Sequence, residues 1–321
     1  MTSELPKIAV AETLAHKIAA VKAGGLPADT TSKCEDLLID VVGLCVTARN
    51  EDYVQSALAA CDDDGPCTAI GHKRALSASG AAFVNGIAAM SASGNYGPCR
   101  VAEAIIGHAD LTIGARVREV LEAELRVGGG RFRGIRHGVS WDPNDAIQKF
   151  ATRSVPPHLV RDAKFREGFA QLAPLGLSFE SWQYHPQLPD AIDLARAFPN
   201  TTIILNHVGG VLGVGPYAGH RQEILAGWKK DIAELAKCPN VNVKLGGVGM
   251  TSFGFDFHER DLPPSSEDLA AAWCRYIEPC IEAFGVNRCM FESNFPPDKQ
   301  SGGYTELWNA FKRITSGHVG R

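Results

Sequence analysis

Thr202-Ile203-Ile204-Leu205-Asn206-His207 is the stretch on which the fold of this chain turns. A run of strand-forming residues ends on an amide and an imidazole, and Gly209-Gly210 follows. That is a short apolar strand delivering a reactive side chain at its C-terminal end. The same grammar recurs on both sides. Upstream stand Ala104-Ile105-Ile106-Gly107-His108-Ala109-Asp110, then Phe132-Arg133-Gly134-Ile135-Arg136-His137, then Leu177-Ser178-Phe179 through Tyr184-His185. Downstream come Val241-Asn242-Val243-Lys244-Leu245 and Cys289-Met290-Phe291-Glu292-Ser293-Asn294. Helical patterns separate these runs, so the chain reads as βαβ units forming a parallel sheet. Polar residues at the ends of successive parallel strands are where a (β/α)8 barrel carries its active site. The expected fold class is α/β, an incomplete (β/α)8 TIM-type barrel preceded by an α-helical segment.

Bulk properties exclude several functions. Of 321 residues, 45% are hydrophobic and 21% charged, which suits a water-exposed globular protein. A formal net charge of −4 gives no footprint for nucleic acid. No apolar run approaches the roughly 20 residues of a membrane span. Met1-Thr2-Ser3-Glu4-Leu5-Pro6-Lys7 lacks the apolar core and cleavage site of a signal peptide, so the expected location is cytoplasmic. The nine cysteines are scattered and form no C-x-x-C pair, which argues against a zinc ribbon or a disulfide framework.

The first part of the chain reads differently. Glu12 to Val21 is an amphipathic helix stopped by Gly24-Gly25-Leu26-Pro27. A second helix follows to Cys45, and a third spans Val54 to Cys61. Asp62-Asp63-Asp64-Gly65-Pro66 has loop composition, and Ser77 to Met90 reads as a small-residue helix. This divides the chain into a helical segment, 1–90, and a barrel segment, 91–321.

Glu12-Thr13-Leu14-Ala15, Leu37-Leu38-Ile39-Asp40-Val41-Val42-Gly43 and Ala81 to Ala89 resemble the N-terminal helical domain of the MmgE/PrpD family. That family includes 2-methylcitrate dehydratase and cis-aconitate decarboxylase. The resemblance implies an active-site His and Asp just beyond this segment, where Met90 and Ser93 stand instead. From about residue 83 onward the chain resembles the amidohydrolase-2 family of barrel hydrolases, which includes 2-pyrone-4,6-dicarboxylate and sugar-lactone lactonases. The matching stretches are Gly107 to Leu111, Arg133 to His137, Tyr184-His185-Pro186-Gln187-Leu188, Leu205 to Gly210, Lys244-Leu245-Gly246-Gly247 and Phe291 to Pro296. In that family they correspond to strands three to eight, without the first strand's His-x-His pair. The two resemblances meet near Phe83 to Met90, as in a fusion of two families.

Candidate site residues follow from hydrolytic chemistry, which needs an activated water, a polarised carbonyl and a proton shuttle. The resemblance implies that His185 and His207 occupy the metal-ligating positions of strands five and six. The expected cofactor is then a divalent metal such as zinc or manganese, or none, since two imidazoles alone are an incomplete site. Asn294 stands where the family carries an aspartate, which makes Glu292 and Asp298 the replacement carboxylates. His185, His207, Glu292, Asn294 and Asp298 are the catalytic candidates. Arg136, His137, Tyr184 and Arg133 are the substrate-binding candidates, an arginine at a strand end being suited to capturing a carboxylate. Gly209 to Tyr217 reads as a mobile active-site loop, and Phe253 to His258 as an aromatic lid. The expected activity is hydrolysis of a small carboxylated lactone or related cyclic ester, by a protein free to form homo-oligomers. Two alternatives remain open: a lyase of the MmgE/PrpD type, and a catalytically inactive fusion or binding protein.

Overall fold

A computed structural model of the chain describes residues 62–68, 75–77, 80–95, 97–151 and 154–316. It divides into two compact units, Met1–Ser79 and Gly80–Arg321. The three helices expected before residue 62 lie outside the described residues. In the first unit, β1 (Asp62–Thr68) pairs antiparallel with β2 (Ala75–Ser77). A strand therefore stands where loop composition suggested a turn. The register breaks between Asp62 and Cys67, so Gly65 and Pro66 fall in the irregular stretch, where their poor strand preference does least harm.

The second unit opens with α1 (Gly80–Ala92), shifted two to three residues from its expected bounds. Strands and helices then alternate: β3 (Ile105–Gly107), α2 (Val117–Val127), β4 (Phe132–Gly138), α3 (Ala163–Phe169), β5 (Ser178–Trp182) and α4 (Leu188–Ala197). They continue with β6 (Ile203–Leu205), α5 (Arg221–Ala236), β7 (Val241–Leu245), α6 (Ser266–Phe284), β8 (Cys289–Phe291) and α7 (Tyr304–Thr315). The strands lie in the order β3-β4-β5-β6-β7-β8, every pair parallel, and curl into a half-barrel. Helix starts are set locally. Ser265 and Asp268 form a reciprocal capping box at the head of α6, and Asp162 accepts from Phe165 N at the head of α3.

The two faces of the sheet differ in kind. Toward the helices point Ile135, Phe179, Ile203, Leu205, Val241, Val243 and Leu245, each at most 2% exposed. Phe165, Phe169 and Phe198 pack there in stacked, edge and tilted contacts 4.8–6.3 Å apart, and Trp228 donates its indole N–H to Val208 O at 2.8 Å. Alternation puts Arg136, Glu180, Asn242 and Lys244 on the concave face. The concave face thus carries a cluster of charged side chains among apolar ones, while cohesion comes from the helix side. No helix among the described residues is long and apolar enough to cross a membrane.

Candidate functional site

The concave face forms the wall of a cleft of about 1000 Å³, lined among others by Arg136, Glu180, Trp182, His207, Lys244 and Asn294. Arg136 stands opposite Glu180 in the parallel register of β4 and β5. Its Nε and Nη2 both donate to Glu180 Oε2, at 2.9 and 2.5 Å. Lys244 Nζ donates to the other carboxylate oxygen at 2.6 Å. Burial pushes the Glu180 carboxyl up, but the two cations outweigh it and hold it below its ordinary value, so Glu180 is ionised. Asn206, fully buried, reaches both Glu180 and Arg136 when its amide is turned so that nitrogen faces the carboxylate.

His207 follows β6 on a turn in which His207, Val208, Gly209 and Gly210 all have positive φ, from 47° to 84°. Two of these are non-glycine residues in a region that L side chains avoid, a strain found where backbone must aim a side chain. His207 Nδ1 lies 2.5 Å from Glu292 Oε1, and the Trp182 ring meets the imidazole edge-on at 4.7 Å. For Glu292, burial raises the carboxyl, and His207, Lys244 and Arg136 together bring it below its ordinary value. An ionised carboxylate only accepts, so it fixes the proton on Nδ1 and leaves Nε2 the basic nitrogen. Lys244 Nζ, 3.6 Å from Glu292 Oε2, joins this pair to the Arg136–Glu180 pair.

Asn294 Nδ2 donates to Asp298 Oδ1 at 2.7 Å, and Asp298 Oδ2 accepts from Gly249 N at 3.1 Å. Asp298 is 2% exposed, and burial pushes its carboxyl up to about 7.

The remaining candidates lie elsewhere. His185 does not line the cleft. Its Nδ1 accepts from Leu212 N at 3.2 Å, its ring meets Tyr217 at 5.3 Å, and desolvation lowers it to about 4. Tyr184 is 1% exposed, in a small cluster with Ile147 and Leu212. His137 points to the helix side, where it lines a separate hollow of about 440 Å³ and meets Phe165 edge-on. Arg133 is exposed and donates to Gly130 O and Phe132 O. The glycine-rich segment after His207 is packed at its start, where Val211 and Leu212 are buried and a Cβ on Gly210 would lie 2.1 Å from Gln183 O, and exposed further on at Gly215 and Pro216. In the aromatic segment Phe253 and Phe257 are buried, and the Arg221 guanidinium covers Phe255 at 4.3 Å.

The donor set does not suit the divalent metal implied by the sequence resemblance. Among the described residues no three His, Cys, Asp or Glu converge on one point. His185 does not line the cleft, so the two imidazoles named by the resemblance do not meet there. Glu180, Lys244 and Asn206 are site residues that strand-end reasoning passed over. For Glu180 and Lys244 the available signal was a charged residue at an inward position inside an apolar strand.

Comparison with known proteins agrees with this architecture. Residues 81–318 match the family model described as amidohydrolase, and residues 12–93 match the MmgE/PrpD N-terminal domain. An uncharacterized protein, y4mH of Sinorhizobium fredii, is 37% identical over 66% of this chain and 63% of its own length. L-fucono-1,5-lactonase of Burkholderia multivorans is 27% identical over 65% of this chain and 63% of its own. The chain thus spans under two thirds of either relative. A crystal structure of a Burkholderia multivorans amidohydrolase with bound zinc superposes with a TM-score of 0.57 at 24% identity, covering 74% of this chain and 72% of that one.

Proposed function

Since the chain belongs to the amidohydrolase family, which its residues 81–318 match, we propose that it hydrolyses a small carboxylated lactone or related cyclic ester in the concave cleft. The observation that carries this reading is the 2.5 Å contact between Glu292 and His207, which lines the cleft. Glu292 holds the imidazole with Nε2 basic. His207 takes a proton from water as its oxygen attacks the ester carbonyl, then returns that proton to the departing ring oxygen. The products are the open-chain hydroxy acid and the regenerated base. Arg136 Nη1 is the edge of the guanidinium not committed to Glu180, and it meets the substrate carboxylate. Lys244 supplies positive charge for the oxyanion as it forms. Asn294 supports the attacking water. The lactonase activity of the Burkholderia relative and the half-barrel fold both favour this class of reaction.

The test is a pH-stat assay of the full chain against neutral and carboxylated five- and six-membered lactones, beside His207→Gln. Turnover that falls at least a hundredfold in the variant, with its melting curve unchanged, is the expected result. Equal rates in both proteins, or no turnover on any ring, would overturn the reading.

A further inference from the structure

We propose that Asp298 is a positioning residue that decides which end of the Asn294 amide faces the cleft. The inference rests on the hydrolytic reading above for its catalytic consequence, and on geometry alone for its mechanism. Asn294 sits just past β8 with φ 47° and lines the cleft, while Asp298 lies behind it, 2% exposed. The Asp298 carboxylate has two committed oxygens, Oδ2 taking the Gly249 N–H and Oδ1 taking Asn294 Nδ2. A backbone N–H cannot become an acceptor, so Oδ2 is fixed in its role. The Gly249 N–H favours the unprotonated oxygen, so a proton added to Asp298 goes to Oδ1, facing Asn294.

Two donors cannot face each other at 2.7 Å. On protonation the Asn294 amide turns over, presents its carbonyl oxygen to Asp298, and offers its NH2 to the cleft. With Asp298 ionised, the cleft sees the amide oxygen, an acceptor that holds the attacking water by one hydrogen. With Asp298 protonated it sees a donor, which competes for the lone pair that the water must use. The change occurs near neutral pH, because burial pushes Asp298 to about 7. Glu292 is the charged group acting on it, and its negative charge also favours the proton, while the bonds from Asn294 and Gly249 oppose it. Ser301, which packs beside Gly249 and bonds its carbonyl, brings no charge.

Asp298→Asn imitates the protonated state, since its amide oxygen can take the Gly249 N–H while its NH2 faces Asn294. The experiment is a pH titration of the Asn294 side-chain amide in protein labelled with 15N-asparagine, the resonance being assigned by its loss in Asn294→Ala. The expected result is a single step in that resonance near pH 7 in the unsubstituted protein, and none in Asp298→Asn. The variant's resonance should match the low-pH form. A resonance that does not move between pH 6 and 8, or a step that persists in Asp298→Asn, overturns the proposal. In the lactone assay, kcat of Asp298→Asn should be about tenfold below that of the unsubstituted protein at pH 8, the two converging toward pH 6, with KM unchanged. The resonance reports the amide without turnover, so an inactive protein with an intact step would sink the hydrolytic reading and leave this one standing.

Discussion

A methyl group placed on the α-carbon of Gly247 would lie 2.4 Å from Nδ1 of His207. Gly247 also has φ +69°, so a side chain there is strained before any contact is counted. The glycine past β7 thus shapes the room in which the His207–Glu292 pair forms. Gly247→Ala should push the imidazole off Glu292, costing about 1–3 kcal/mol of stability and at least tenfold in kcat. Urea unfolding together with the lactone assay measures both. A variant with unchanged midpoint and rate would show that the contact relaxes freely.

Glu180 carries the counter-charge for two cations at once. Replacing it with alanine leaves Arg136 and Lys244 without their shared partner in a partly desolvated wall. Because the Arg136 side chain is 38% exposed and still reaches water, the loss costs less than breaking a fully buried pair, about 1–3 kcal/mol. The expected outcome for Glu180→Ala is a lowered urea midpoint with unchanged m-value. Glu180→Gln, which keeps the shape and one acceptor, should fall between the two proteins.

His185 gives stability a pH dependence of known sign. Its folded value near 4 lies below the ordinary 6.5, because desolvation disfavours the imidazolium. Between those values the unfolded chain binds the proton and the folded one does not, so stability is lost as pH falls from 6.5 toward 4. The full difference is up to about 3 kcal/mol. Asp298 works in the opposite sense, since its raised value makes the folded chain the better proton binder between 3.8 and about 7. The difference between the unsubstituted protein and His185→Gln isolates the first effect. It should change across pH 4–6.5 and stay flat above pH 7.

Metal removal offers a separate check. The described residues assemble no three-ligand cluster, and the proposed base is held by a carboxylate. Exhaustive chelation should leave the lactone rate within about twofold, and added zinc should not raise it. Loss of activity on chelation, restored by one equivalent of zinc, would relocate the chemistry to a centre that these side chains do not form.

The half-barrel was legible because each strand announces itself by a short β-rich run between helical patterns. Val241 to Leu245 is a strand to the residue, four others fall inside the expected runs, and β4 extends one residue beyond its run, to Gly138. Arg136, His207 and Asn294 were legible as cleft residues because they sit at or just past strand ends on inward positions. His137 is one residue from Arg136, and that single step in a two-residue period turns it to the helix side. His185 and Tyr184 were misleading for another reason. They begin a one-turn helix after β5, where alternation no longer applies and the local turn sets direction. Glu180 and Lys244 escaped notice because their importance is relational. Nothing local to either residue tells that β5 and β7 bring them within 2.6 Å of each other.

The segregation of the sheet's two faces also bears on how this chain can change over time. The residues that pack against the helices are apolar and look outward, while Arg136, Glu180 and Lys244 are charged and look inward. Inward positions outside the Arg136–Glu180–Lys244 cluster can change without disturbing the apolar helix side, so new specificities can be explored there at little cost to the scaffold. Selection can act on reactivity and on folding almost as if they were separate traits.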